Sequence, residues 1–331
     1  MTRPISVSRR ALMAGFAAAG AASLFAPSIV LAQDKWPSRP VTLVVPYGPG
    51  ASNDTFTRAV AEVLSRTLGQ PFVVENAPGA GGFTGTERVS KSAPDGYTFV
   101  EVPNSVVGFK PFMKVELDPL VDLTPVAVLA KSPVAMVVPV GLPVNTVAEF
   151  ITYAKANPDT TFYGMAGVGT TQQQHAELFN SATGLKLKPV NYKSSADAQT
   201  DLVAGRLQLM FVTVASVLGQ IEGGQLRLLG YSDDNYPEGA PKAPTMAEAG
   251  VPGMEGAQIF WGVYGPKGLP DDIRDAMNAA INVALADPAF VALTAKSGAT
   301  PSPGTPADFV ALLEAETEAV KAFAAMMPAV Q

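Results

Sequence analysis

The chain has 331 residues, with 23 Lys and Arg against 29 Asp and Glu, one histidine, no cysteine and a net charge of −6. This acidic balance argues against nucleic acid as a partner, since that binding needs clustered cations to displace counterions. The missing cysteines exclude disulfide staples and thiolate chemistry, and a chain of this length buries a core without them.

Ser8-Arg9-Arg10 is followed by an Ala-rich apolar run, Ala11 to Leu24, and then by Val30-Leu31-Ala32. Paired arginines, a weakly apolar core and small residues before a cut have the form of a twin-arginine export signal. The run is shorter than the roughly 20 residues of a spanning helix. We expect cleavage after Ala32 and a periplasmic location. Residues 33–331 then carry 20 basic and 29 acidic side chains, a net charge of −9. At about 150 residues per domain, that length predicts two domains.

Strand-length apolar runs alternate with amphipathic helical stretches, the pattern of an α/β fold with parallel strands and helical crossovers. Val41 to Val45 reads as a buried strand, followed by a Gly- and Pro-containing loop and a helix over about 54–68. Phe56, Val60, Val63, Leu64 and Leu68 form that helix's inner stripe, and Gly69 ends it. Strands follow at Phe72 to Val74 and Tyr97 to Val102, then two more at Pro125 to Ala130 and Ala135 to Val138 with a short connection. Thr146-Val147-Ala148-Glu149 is a capping box for a helix that stops at Pro158. A strand at Phe162-Tyr163 and helices from about Thr170 and Ala196 come next. Leu207 to Val214, Leu226 to Tyr231 and Ile259 to Tyr264 read as strands, and two helices close the chain. The order suggests a discontinuous first lobe, 33–131 plus 256–331, with a second lobe, 132–255, inserted into it. Two lobes in series are the alternative.

The sequence offers little for catalysis. His175 stands alone in a helical pattern, with no second metal-ligand residue at a useful spacing. There is no Gly-x-Ser-x-Gly elbow, no Ser-x-x-Lys and no phosphate loop. Gly79-Ala80-Gly81-Gly82-Phe83-Thr84 has Thr84 where a dinucleotide fingerprint needs its third glycine. An exported hydrolase or lyase would have to draw an acid–base pair from Asp54, Asp197 and Lys193. The expectation is a protein that is not an enzyme and needs neither cofactor nor metal.

Three loops have the composition of a ligand site. Tyr47-Gly48-Pro49-Gly50-Ala51-Ser52-Asn53-Asp54 joins a strand to a helix, where ligands gather in parallel sheets and where free amides meet anions. Ala166-Gly167-Val168-Gly169-Thr170-Thr171-Gln172-Gln173 combines glycines, hydroxyls and amides without charge, which suits hydrogen bonding to a carboxylate. Tyr192-Lys193-Ser194-Ser195-Ala196-Asp197 opens the next helix and holds the only basic residue of the three. Tyr47, Phe260 and Trp261 could form an aromatic wall, a role that core packing competes with most strongly for Trp261.

Longer stretches resemble one family. Trp36-Pro37-Ser38-Arg39-Pro40 leads into Val44-Val45-Pro46-Tyr47-Gly48-Pro49-Gly50 and Asp54, followed by Val74-Glu75-Asn76, Pro78 to Gly82 and Ala93 to Thr98. Tyr192-Lys193, Leu209-Met210-Phe211, Pro244 to Gly250 and Ala284 to Pro288 continue in order. Together these are similar to the substrate-binding proteins of tripartite tricarboxylate transporters, often called Bug receptors. The resemblance implies a type II periplasmic-binding-protein fold with a discontinuous first lobe and a small carboxylate held between two lobes. It makes Gly50 to Asp54 the first ligand loop and Gly167 to Gln173 the second. Gln172 and Gln173 stand where the family usually has Ser and His, and Ser194-Ser195 where it tends to have Gly-Gly. Glu101, Pro103, Asn104 and Ser105 replace the family's small residues after Tyr97, so Asn104 and Ser105 join the candidate set. The implied partners are the ligand and a membrane permease, with a sensor kinase as the alternative docking partner. A monomer is expected.

Overall fold

The computed structural model describes residues 36–50, 52–113, 115–167, 170–192, 194–234, 236, 240–254 and 258–326. The export signal with its cleavage point, Ala51, Val168, Gly169, Lys193 and the crossing expected near Gly256 lie outside the described residues.

The first half of the sheet is built as the apolar runs require. Strand β1 (Val41–Val45) pairs in parallel with β2 (Phe72–Asn76) on one side and with β3 (Thr98–Pro103) on the other. Helix α1 (Ser52–Leu68) makes the first crossover, and Gly69, at φ +73°, closes it in the left-handed conformation that glycine adopts without strain. Helix α2 (Phe83–Ser90) makes the second crossover.

A single strand, β4 (Leu123–Pro139, 17 residues), replaces the two strands and short connection expected here. Its first part pairs antiparallel with β9 (Gln258–Pro266), which in turn pairs antiparallel with β3. From Val134 onward it pairs with β7 (Met210–Thr213) and β8 (Leu226–Tyr231). Pro133, which has no N–H to give, falls where β4 leaves Gln258 and meets Thr213, so the strand survives a proline that would break a ladder elsewhere. Ser132 Oγ donates to Gly298 O at 2.7 Å, and Val134 N donates to Ser232 Oγ at 2.9 Å.

Helix α3 (Val147–Ala156) starts on Thr146, whose hydroxyl accepts from Glu149 N at 3.1 Å. The Glu149 carboxylate accepts from Asn145 N rather than from the cap residue's own amide. Strand β5 (Phe162–Met165) pairs in parallel with β6 (Lys188–Asn191), and helices α4 (Thr171–Thr183) and α5 (Ser195–Val203) follow these strands. The chain closes with three helices rather than two: α6 (Asp271–Leu285), α7 (Pro288–Lys296) and α8 (Pro306–Met326). Asp287 caps α7 and Pro288 is its first residue, which divides one apolar stretch into two helices. Strand β10 (Thr300–Pro301) lies against β4 ahead of α8.

Buried apolar residues form clusters on both faces of each half. Val41, Phe56, Leu64, Phe99, Trp261, Ile281 and Phe290 pack under α1, α6 and α7, while Val100, Phe109, Phe260, Tyr264, Phe309 and Leu313 pack under α8. In the other half Val134, Met136 and Val138 meet Phe150, Phe179 and Phe211, whereas Ala135 and Val137 meet Ala198, Leu202 and Tyr231. This is the alternation of a strand sandwiched between helices. Each large apolar side chain so buried contributes roughly 1.5–3 kcal/mol. Among the described residues no single helix is long and apolar enough to cross a membrane.

Candidate ligand-binding site

The loop after β1 is shaped by Asp54, which is buried at the start of α1. Its Oδ2 accepts the amide of Gly50 at 2.9 Å, and its Oδ1 accepts from Asn76 Nδ2 at 2.9 Å and Arg58 Nη2 at 2.8 Å. Asn76 also donates to Tyr47 O at 3.1 Å, so both ends of the loop are tied down. The Arg58 guanidinium, helped by the Gly50 and Asn76 amides, holds the Asp54 carboxyl down at about 2 despite its burial. Asp54 is thereby a brace for the loop. Gly48 and Gly50 beside it are exposed.

The phenol of Tyr47 lies over Gly82, where an added Cβ would come within 2.7 Å of its oxygen. It donates to Gly81 O at 3.2 Å and is hydrogen-bonded by Ser105, and burial raises its pKa. Next to it, Glu101 on β3 is 1% exposed and receives Asn53 Nδ2 on both carboxylate oxygens at 3.0 Å. Burial pushes the Glu101 carboxyl up to about 8, against the opposing pull of the Asn53 amide. Asn104, also buried, donates through Nδ2 to Gln258 O at 3.1 Å and to Glu316 of α8 at 2.8 Å. It rivets β3, β9 and α8 together.

The second loop and the start of α5 border a cavity of about 370 Å³. Ala166, Thr170, Thr171, Gln172 and Ser195 line it together with Phe211, Val212, Thr213, Ser216, Val134 and Ile259. None of these side chains is charged. Gln172 spans the two loops: its Oε1 accepts Ala166 N at 2.7 Å and its Nε2 donates to Ser195 Oγ at 2.7 Å. Thr170 Oγ1 donates to Gly167 O at 2.9 Å, and Gly167 itself sits at φ +126°. Thr171 and Ser195 are the first residues of α4 and α5, so two helix N-termini open here, the end of a helix that favours negative charge.

Several expected site residues point elsewhere. Gln173 is buried and hydrogen-bonds Tyr163, Tyr192 Oη donates to Asp201 at 2.8 Å, and exposed Asp197 serves the Ser194 cap of α5. Phe260, read as part of an aromatic wall, is a core residue instead, 1% exposed and edge-on to Phe309 across 6.0 Å. Trp261 is likewise core, against Phe56. His175 is buried, with Nδ1 2.8 Å from Thr171 O and its ring tilted over Phe211. Residue patterns did not single out Thr213, Ser216, Val134 or Ile259. Thr213 ends β7 and Ser216 lies in the turn just after it, a position at the carboxyl end of a strand that could have marked them. A larger open groove of about 700 Å³, lined by Phe83, Glu87, Lys91, Glu116 and Lys267, contains no residue of the three loops.

Residues 56–325 match the family described as the tripartite tricarboxylate transporter family receptor. The chain belongs to this family. Rpa4515 of R. palustris, solved with adipate, is 34% identical with a TM-score of 0.76, over 88% of this chain and 98% of that one. MatC (Rpa3494) of Rhodopseudomonas palustris, solved with bound malate, is 27% identical with a TM-score of 0.74, over 87% and 100%. The periplasmic binding protein BugD is 28% identical with a TM-score of 0.71, over 87% and 97%. The expected periplasmic-binding-protein fold of mixed α/β character is thus the observed one. A tripartite tricarboxylate transporter receptor is a periplasmic solute-binding protein, and both the cavity at α4 and α5 and the braced loop at α1 belong to such a receptor.

Proposed function

We propose that this receptor captures a small carboxylate between two lobes and hands it to a tripartite tricarboxylate-type permease. The uncharged, hydroxyl- and amide-bearing cavity at the starts of α4 and α5 carries this reading. Among the described residues a carboxylate there would be met by hydroxyls and helix N-termini rather than by a salt bridge. The carboxylates of the adipate and malate complexes are consistent with that chemistry.

The lobes we assign are 33–131 with 256–331, and 132–255, hinged where β4 changes partners. Gly50, Ser52 and Asn53 from the first lobe and Thr170, Thr171 and Ser195 from the second would close on the ligand, with closure stabilised by contacts that exist only in the closed state. Export by the Arg9-Arg10 signal, cleavage after Ala32 and a monomeric state belong to the same proposal.

The test is a thermal-shift screen of residues 33–331 against di-, tri- and aromatic carboxylates. A ligand at 100 times its Kd adds about 2.7 kcal/mol and raises Tm by several degrees. A shift with one carboxylate class names the ligand; shifts only with sugars, amines or cations would overturn the proposal.

A further inference from the structure

The hydrogen bonds around Ser195 have a fixed sense. The amide of Ala166 can only donate, so the atom it meets at 2.7 Å is Gln172 Oε1. The other end of that side chain is therefore the NH₂ group, 2.7 Å from Ser195 Oγ, and it too can only donate. Ser195 Oγ must accept. Gln199 comes to the same oxygen through Nε2 at 3.4 Å, and an amide NH₂ can only donate, so it does not take up the Ser195 proton. Ser216, the other partner of Gln199, has already given its proton to Thr213 O at 2.8 Å. The Ser195 hydroxyl proton has no acceptor among the described residues, and the residue borders the 370 Å³ cavity. Thr171 and Thr213 in the same wall have hydroxyls that make no hydrogen bond among the described residues and can turn either way.

We infer that Ser195 is the specificity-determining donor of this cavity, its sense locked by Gln172, and that it gives its proton to a carboxylate oxygen of the ligand. This rests on the carboxylate reading above and adds a selection rule. At that point the cavity accepts an ionised carboxylate and disfavours an ammonium or any other group that itself needs an acceptor.

A double-mutant cycle separates the role from mere packing. Titration calorimetry with adipate and with malate is run on the purified wild type, Ser195→Ala, Gln172→Glu and the double variant, with an unliganded melting curve for each. Ser195→Ala weakens binding by about 10- to 100-fold, the loss of a hydrogen bond to a charged acceptor. Gln172→Glu preserves the bond to Ala166 N but offers Ser195 an acceptor, which takes its proton away from the ligand. The new negative charge weakens binding on its own account, but equally with and without Ser195, so it cancels from the cycle. In the Gln172→Glu background, Ser195→Ala therefore has an effect of less than about twofold. Ser195→Thr, which keeps a hydroxyl, retains most of the affinity. If Ser195→Ala costs the same factor in both backgrounds, or costs nothing in the wild type, the inference is overturned while the receptor reading stands. If the wild type binds neither these nor other carboxylates, the receptor reading falls and takes the inference with it.

Discussion

The side-chain amide of Asn53 donates to both carboxylate oxygens of Glu101, each at 3.0 Å, from the first turn of α1 to the far end of β3. The pairing places an acid, 1% exposed, directly under the loop that follows β1. Asn53 is the only hydrogen-bond donor to that acid among the described residues. Burial outweighs the Asn53 bond, so the acid keeps its proton into the neutral range.

Stability follows from that proton. Below pH about 4.5 both folded and unfolded chains hold it; between there and about 8 the folded chain keeps a proton that the unfolded chain has released, so stability falls as pH rises. We expect this group to lower Tm by about 1–3 °C per pH unit across that window. Glu101→Gln removes this contribution to the slope and is the more stable protein at pH 8. Melting curves from pH 5 to 8.5 on the two proteins decide it; parallel curves would show Glu101 to be ionised in the fold.

Glu316 contributes in the same direction over a narrower window. It sits on the inward stripe of α8, between Leu313 and Val320, and burial pushes its carboxyl up to about 7. Glu316→Gln keeps an acceptor for Asn104 and flattens the part of the Tm profile between about 4.5 and 7. A variant whose profile matches the wild type over that range would refute the assignment.

Asp54 works in the opposite sense. Its folded pKa lies below its unfolded value, so its contribution is complete above about pH 4 and disappears as pH falls towards 2. Asp54→Ala leaves the Gly50 amide and one Asn76 bond without their acceptor, at a cost of about 2–4 kcal/mol at pH 7. Urea unfolding at pH 7 measures it, and a difference of under about 0.5 kcal/mol would mean the loop does not depend on this brace.

Gly298 is held at φ +62° where an added Cβ would lie 2.6 Å from Val214 and 3.0 Å from Ala215 N. Gly298→Ala therefore meets both left-handed strain and a backbone contact, and loses about 2–4 kcal/mol. Gly48→Ala serves as control, since nothing lies within 4 Å of that position. Equal melting temperatures for the two variants would contradict the crowding.

Much of this was legible from residues alone. The stripe of α1, the caps at Gly69 and Thr146, and the apolar runs of β1 and β3 follow from local periodicity and turn chemistry. The continuous β4 was not, because Lys131-Ser132-Pro133 reads as a break until the partner exchange at that point is known. Strand β6 escaped because Lys188, Pro189 and Asn191 are exposed and leave no apolar signature. Glu101 stands out in the sequence only as a departure from the family's small residues, and its burial against an amide 48 positions earlier is not legible there. The polarity of Ser195 depends on Gln172, 23 residues away on another helix, and local pattern cannot carry that.

Strand β4 also fixes a phase relation. Val134, Met136 and Val138 face one cluster while Ala135 and Val137 face another, and the same unbroken backbone runs back through Ser132 to the pairing with β9. Because side chains alternate from Val134 to Val138, one residue added or deleted between Lys131 and Val134 without a compensating bulge, such as those at Pro125–Ala127 and Val128–Ala130, would exchange the two faces of that stretch. The two halves are therefore kept in step like two gears on one shaft, and a length change tolerated in an ordinary linker is forbidden here.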